Sequence, residues 1–326
     1  MMLIKKMIGV FVISMMIFSC NNETGVSSAS NIQVNSLSRT TTPKRFLFDA
    51  TKAETAGNAD WVICENSSGT PLRYPSPVQT SVTATTPENY WRGGLSSWGI
   101  ALAKEGHYVE TLAPGAAITF GNTSNAQDLS NFDVYIVDEP NTKFTTAQKT
   151  AILNFVKNGG GLFMIADHTA SDRNNDGYDS PAIWNDLMSN NTLQTNPFGL
   201  TVELNNISQT STNVLTDAGN TILNGSQGAV TQLSFHNGAT IKITPTANAT
   251  AKGLIWQTGI SKASTTKIML ASATFFNGRV VLLTDSSPAD DGTGNPSDTL
   301  YPGWTDVNGN HARLHLNASY WLARLP

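Results

Sequence analysis

Apolar residues in this chain gather into short unbroken runs that end on acidic groups. Leu162-Phe163-Met164-Ile165-Ala166 lies between the turn Gly159-Gly160-Gly161 and the polar stretch Asp167-His168-Thr169. An apolar run of this length, bounded by turn residues, predicts a buried strand. Arg45-Phe46-Leu47-Phe48-Asp49, Phe132 to Asp138 and Gly278 to Asp285 repeat the layout, each closing on an aspartate. Gly106 to Leu112 predicts a turn and a further strand, and Lys267 to Ala271 another.

Helical patterns separate these runs. Tyr90 to Glu105 carries Trp91, Leu95, Trp98, Ile100 and Leu102, which fit the helical period loosely. Thr145-Thr146-Ala147-Gln148 matches a capping box and opens a helix with an apolar face of Ala147, Ile152, Phe155 and Val156. Asn158-Gly159-Gly160 ends it. Pro181 to Met188 predicts a short helix and Asn310 to Leu325 a terminal one, while Asn66 to Glu88 reads as a long surface loop. Strand, helix, strand, helix, strand argues for an α/β fold on a parallel sheet with right-handed crossovers. From about 190 to 265 the chain turns Thr/Asn/Gly-rich, with β-prone runs such as Thr201-Val202-Glu203-Leu204 and Thr240-Ile241-Lys242-Ile243. That stretch predicts a β-rich antiparallel insertion within the same domain.

The first residues change the picture of location. Lys5 and Lys6 precede an apolar run from Met7 to Phe18, a signal-peptide layout too short for a comfortable membrane span. Ile17-Phe18-Ser19-Cys20 resembles a bacterial lipobox, which would make Cys20 the lipidated residue; otherwise it is an ordinary cleaved signal with an incidental cysteine. The expected division is a signal peptide at 1–19, a lipid anchor and flexible tether at 20–43, and a single α/β domain at 44–326. The predicted location is the bacterial cell envelope, with the lipid as its membrane contact. A net charge of -4 over 326 residues, 13% of them charged, argues against a nucleic-acid partner. The second cysteine, Cys64, follows Trp61-Val62-Ile63 and predicts a buried thiol.

If the sheet is parallel, Asp49, Asp138-Glu139, Asp167-His168 and Asp285 converge on its C-terminal edge, where α/β folds bind ligands. Lys52, Glu54 and Asn58 follow the first strand and Ser286 the last. Asp172-Arg173-Asn174-Asn175-Asp176-Gly177 fits the first half of a calcium loop, D-x-[DN]-x-[DN]-G, but its twelfth position is Ile183. Asp172, Asn174, Asp176 and Asp179 are the candidate ligands for calcium or another hard divalent cation; the alternative is an Asx-rich turn. Asp290, Asp291 and Asp298 read as loop or capping residues. Among the five histidines, His107 reads as a surface turn residue, and His236 as either a site or a hairpin residue. His311 and His315 share a helix face, with Ala312 where a zinc protease motif needs Glu.

Phe132 to His168, the strand Asn277-Gly278-Arg279-Val280-Val281-Leu282-Leu283-Thr284-Asp285 and the late Asn317-Ala318-Ser319-Tyr320-Trp321 resemble the class I glutamine amidotransferase-like superfamily, in particular its ThuA-like branch. The resemblance implies a flavodoxin-like parallel sheet with helices on both faces, and an active-site role for His168. It also exposes a departure. True amidotransferases carry a nucleophilic Cys on the turn that is Asp167-His168-Thr169 here, so thiol-based glutamine hydrolysis lacks its nucleophile.

The expected function is an envelope hydrolase acting on a glycan or glycoconjugate. His168, Asp167, Glu54 and Asp285 would form its reacting centre, with Lys52, Asn58, Glu139, His236 and Ser286 holding substrate. The alternative is a non-catalytic, calcium-stabilised carbohydrate-binding protein whose site is lined by Trp61, Trp91, Trp98, Trp184 and Tyr178. A ligand-free envelope scaffold is a third reading.

Overall fold

A computed structural model describes residues 42–295 and 301–326. The predicted signal peptide, the lipidation site Cys20, nearly all of the tether and Asp298 lie outside the described residues.

The described chain runs β1 (Arg45–Asp49), α1 (Ser96–Lys104), β2 (Tyr108–Leu112), β3 (Val134–Asp138), α2 (Thr146–Lys157), β4 (Gly161–Ile165), α3 (Ser180–Ser189) and β5 (Leu200–Ser211). A two-residue hairpin follows, β6 (Asn224–Gly225) and β7 (Gly228–Ala229). Then come β8 (Leu233–Ile243), β9 (Lys252–Trp256), β10 (Ile268–Phe275), β11 (Gly278–Leu283) and α4 (His311–Leu322). The main sheet has the order β2-β1-β3-β4-β11-β10-β8-β5, with β9 paired to β10.

The first five strands of that order are parallel. They give the flavodoxin-like arrangement, in which the chain reverses its sweep across the sheet between β1 and β3. The unbroken apolar runs follow from burial on both faces. Phe46 and Phe48 of β1, Phe163 and Ile165 of β4, and Val281 and Leu283 of β11 point to one face, with Trp98 of α1 and Leu314 of α4. Leu47, Leu162, Met164, Val280 and Leu282 point to the other, with Ile152 and Phe155 of α2 and Trp184 of α3.

The β-rich insertion extends this sheet through β10, β8 and β5, all antiparallel. Two of its strands are longer than their apolar runs predict. β5 reaches Ser211 and β8 starts at Leu233, because their outer halves pair mainly with each other and tolerate polar residues.

Three sequence expectations are corrected. The first helix starts at Ser96, not near Tyr90. Gly93 has φ +151°, and a β-carbon there would sit 2.3 Å from the Val62 carbonyl oxygen, so the chain crosses the Val62–Ile63 backbone before it winds. His107 is buried, packed between Phe46 and Tyr320, with Nδ1 accepting from the Lys44 N–H. Trp91, Trp98 and Trp184 are core residues, so they cannot form a sugar-binding surface.

Candidate functional site

The C-terminal ends of β3, β4 and β11 open into a cleft of about 330 Å³. Its wall includes Asn58, Trp61, Asp167, His168, Arg173, His236, Asn237, Ser287, Asp290 and Tyr301. These come from five separate stretches of chain. Parallel strands with both faces covered leave their C-terminal ends as the place where polar side chains can gather.

Arg173 ties the cleft together. Its Nε donates to Glu139 Oε1 at 2.6 Å, Nη2 to Asp167 Oδ2 at 2.9 Å and Nη1 to Asn58 Oδ1 at 2.5 Å. Its backbone N–H donates to Asn141 Oδ1. The planar guanidinium fork suits several acceptors at fixed angles, which a lysine could not serve. Glu139 Oε2 receives Trp61 Nε1 at 2.7 Å and Ser286 Oγ at 2.9 Å, so the carboxylate is held from both sides although fully buried. Glu139 sits at φ +43°, a left-handed conformation that is strained for a side chain of this size. The turn it makes directs the chain on to Asn141 directly after β3.

His168 follows Asp167 at the end of β4. Its backbone N–H donates to Asp167 Oδ1 at 2.7 Å, and its Nδ1 lies 2.6 Å from the Thr169 carbonyl oxygen. A carbonyl oxygen only accepts, so Nδ1 carries a proton and a neutral ring keeps its lone pair on Nε2. Asp167 is held from behind, its N–H donating to Ser180 Oγ at the start of α3.

His236 reaches the cleft through a bulge in β8. The pairing with β5 shifts register between Glu203 and Ser208, and Asn237 has φ +67°. Gly238 permits the close approach that follows. A β-carbon there would lie 2.6 Å from the Phe235 ring and from the Thr284 carbonyl oxygen. β8 can therefore rest on the end of β11, where the His236 N–H donates to Asp285 Oδ2 at 2.5 Å. The His236 ring stacks on Tyr301 with centroids 4.4 Å apart and planes 11° apart.

Acidic groups outnumber cations here. Asp138 is buried, and neither of its carboxyl oxygens has a hydrogen-bond partner among the described residues. Burial, then the neighbouring Glu139, Asp285 and Asp290, pushes its carboxyl well above the usual range. Burial and Glu139 raise Asp167 in the same direction, with Arg173 opposing. Burial pushes Asp285 up to about 7 against the N–H groups of Ser287 and His236 that favour its charge.

Of the predicted reacting groups, Asp167 and His168 line the cleft. Asp285 lies beneath it, fully buried, bound to the N–H groups of His236 and Ser287. Glu54 does not belong to the cleft. It is buried against Asp49, and burial and then the Asp49 carboxyl hold Glu54 well above the usual carboxylate range, while the contact with Glu54 partly offsets the burial that raises Asp49. Of the predicted substrate contacts, Asn58 and His236 line the cleft. Glu139 and Ser286 are buried supports for Arg173, and Lys52 points elsewhere, its ammonium donating to Gln148 Oε1 at 2.7 Å over the Phe144 ring.

The predicted cation loop turns its oxygens onto its own backbone. Asp172 accepts from the N–H groups of Asp176 and Gly177, and Asp176 accepts from Tyr178 N. Asn174 accepts from Asp176 N, and Asp179 caps α3 through Ala182 N. Among the described residues, no group of three or more His, Cys, Asp or Glu is arranged to hold a metal ion. His311 uses both ring nitrogens internally, on the Gly303 carbonyl and the Ser234 N–H, and His315 is buried against Phe163 and Trp98.

Sequence reasoning missed Arg173, Tyr301 and Asp290. Arg173 was hidden as a spacer of the calcium-like motif, although an arginine between strand-end carboxylates is itself a signal. Asp290 does structure its loop, accepting from Gly292 N and Tyr301 N, yet it also lines the cleft. Asp291 caps α1 through Ser97 N, as a capping residue should.

No family model matches the sequence, and no curated protein matches it. Solved structures of similar fold include the mmIFT52 N-terminal domain, 13% identical over 85% of this chain and 97% of that one, with a TM-score of 0.49. A cytoplasmic protein from Salmonella typhimurium is 10% identical over 86% and 98%, with a TM-score of 0.46. A ThuA-like protein from Parabacteroides merdae is 12% identical over 86% and 90%, with a TM-score of 0.43. These likenesses concern the general fold alone.

Proposed function

We propose that the cleft is a hydrolytic centre for a glycan or glycoconjugate, with His168 as the base that activates water. The observation that carries this reading is the contact between His168 Nδ1 and the Thr169 carbonyl, which leaves the Nε2 lone pair on a cleft-lining ring. Asp167, its carboxyl raised by burial and by Glu139, can keep the proton that a leaving oxygen needs.

The surroundings favour a glycosidic bond over an ester. Ester cleavage builds negative charge and needs free N–H donors aimed at it. Here the N–H groups of His168, His236, Ser287, Gly292 and Tyr301 already serve carboxylates of the protein. Glycoside cleavage builds positive charge on the sugar ring, which a carboxyl-rich wall stabilises. The His236–Tyr301 stack supports a second reading, non-catalytic sugar binding, by offering aromatic surface at the cleft. In either case the chain would work in the cell envelope, anchored through lipid on Cys20, with the 172–179 loop taking calcium or a similar hard cation.

The test is turnover of a panel of aryl glycosides, oligosaccharides and aryl esters, with and without chelator, by the wild-type chain and by His168→Ala and His168→Gln. Glycoside turnover that falls about 10²–10⁴-fold in both variants supports the reading. Glycan binding without turnover in all three proteins replaces it with the binding reading.

A further inference from the structure

The starts of the parallel strands form the end of the domain opposite the cleft, and that end is basic. Arg45 of β1 pairs with Tyr108 of β2, the Asp133 N–H donates to the Arg45 carbonyl, the Gly161 N–H donates to the Asp133 carbonyl, and Gly161 pairs with Arg279 of β11. At about 4.8 Å per strand this edge runs about 14 Å from Arg45 to Arg279. α1, α2 and α4 finish at the same end, with Lys104, Lys157 and Arg324 exposed at or just past their last turns. Lys44 and Arg45 pair with Asp133 and the buried Glu110. Among the described residues, Lys104, Lys157, Arg279 and Arg324 make no ion pair, and Glu105 is the other carboxylate at this end. Arg324 donates to the carbonyls of Gly159 and Asn277, and Arg279 to that of Trp321, which hold the side chains in place and leave their charge uncancelled.

A second observation is independent of charge. The β10–β11 hairpin turns through two residues, Phe276 and Asn277, between the paired Phe275 and Gly278. Phe276 takes φ +50°, at a position that such turns ordinarily give to glycine, and its ring is 68% exposed. Lys157 Nζ lies 4.9 Å from the ring centroid. A lysine in a last helical turn is explained by the helix dipole. An exposed phenylalanine at a left-handed turn, among uncancelled cations, is not. The chain also enters β1 here, through Lys44, so residues 1–41 join the domain at this end.

We infer that this end of the domain docks on an anionic phospholipid surface, with Phe276 entering the headgroup layer and the cleft turned away from the membrane. Cations near such a surface gain about fivefold in affinity each, and an aromatic ring suits the boundary between headgroups and acyl chains. At the opposite end the loop after β4 carries Asp172, Asp176 and Asp179, which the same surface repels. Attraction at one end and repulsion at the other set the orientation. The inference stands apart from the hydrolytic reading, and it adds a contact by the folded domain to any lipid on Cys20.

The test uses the full chain with Cys20→Ser, which carries no lipid, and with Asn277→Cys labelled by a polarity-sensitive fluorophore; the other thiol, Cys64, is buried. It is titrated with vesicles of phosphatidylcholine alone and of phosphatidylcholine with phosphatidylglycerol. The expected result is a blue shift of the label on the anionic vesicles, with affinity about tenfold or more above that for the neutral ones, an advantage lost between about 50 mM and about 500 mM salt. Lys104→Gln and Lys157→Gln, both on exposed side chains, should each weaken anionic binding about fivefold. Phe276→Gly suits the positive φ, so it should keep the fold while weakening binding. Equal affinity for the two vesicle types overturns the inference. So does vesicle binding that leaves the label in water, which would assign the contact to residues upstream of the domain and leave anchoring through Cys20 untouched.

Discussion

Arg173 Nε meets Glu139 Oε1 at 2.6 Å, with the carboxylate fully out of water and the arginine side chain 19% exposed. Removing one member of such a pair strands the other's charge in the interior. Arg173→Ala is expected to cost about 3–5 kcal/mol in urea unfolding. Arg173→Lys should recover only part of that loss, because one ammonium cannot reach Glu139, Asp167 and Asn58 in the same plane. A cost below about 1 kcal/mol for the alanine variant, the range of exposed ion pairs, would show that the clamp holds nothing.

His168 is only half-buried, and its ring makes one hydrogen bond among the described residues. Its replacement should therefore separate chemistry from folding. His168→Gln is expected to leave the urea midpoint nearly unchanged while any glycosidase turnover drops about 10²–10⁴-fold. A parallel loss of stability would mark the ring as structural.

Stability should decline as pH rises above about 6.5, where an ordinary histidine is losing its proton and the buried carboxyls, Asp285 at about 7 among them, still hold theirs. Asp138, Asp167, Glu54 and Asp285 keep protons in the folded chain that the unfolded chain has already lost. The folded state then binds more protons, so raising pH favours unfolding until each folded pKa is passed. The buried His311 and His315 act oppositely, since burial keeps them neutral, but their contribution is complete once pH exceeds the ordinary histidine value of 6.5. Asp138→Asn should shrink the decline, read from denaturation curves at pH 6.5 and 8.5. An unchanged decline would mean that Asp138 is ionised throughout.

Gly238→Ala places a methyl group 2.6 Å from the Phe235 ring and the Thr284 carbonyl. β8 must then lift off the end of β11, at a cost of about 1–3 kcal/mol. The His236 N–H would leave Asp285, and the His236–Tyr301 stack would open. The checks are the urea midpoint and the His236 ring resonances by NMR, which should move away from their ring-current-shifted positions.

The strand ends were legible because the same physics writes them twice. A strand buried on both faces has no room for polar residues until it leaves the sheet, so Asp49, Asp138, Asp167 and Asp285 mark their own edge. Which of those carboxyls face solvent was not legible. Glu54 and Asn58 lie four residues apart in one loop, yet one is buried on Asp49 and the other lines the cleft. The tryptophans misled for a related reason. Trp91, Trp98 and Trp184 fill the layers between helices and sheet, and nothing local distinguishes such a ring from one at a binding surface. Arg173 acquires its role from Glu139, Asp167 and Asn58, contacts that only the assembled sheet creates.

The place of β11 sets the order in which the molecule can be completed. β4, at residues 161–165, needs a parallel neighbour on its second side, and that neighbour is residues 278–283. α3 and all strands from β5 to β10 are made in between. A chain emerging from its N-terminus therefore carries β4 with one bare edge until residues 278–283 have been made, a state open to mispairing. Closing the gap requires contacts between distant residues, which slows folding. Because β11 also delivers Asp285 and the ledge on which β8 rests, the cleft is among the last features to form. A nascent chain would complete its cleft together with its resistance to aggregation.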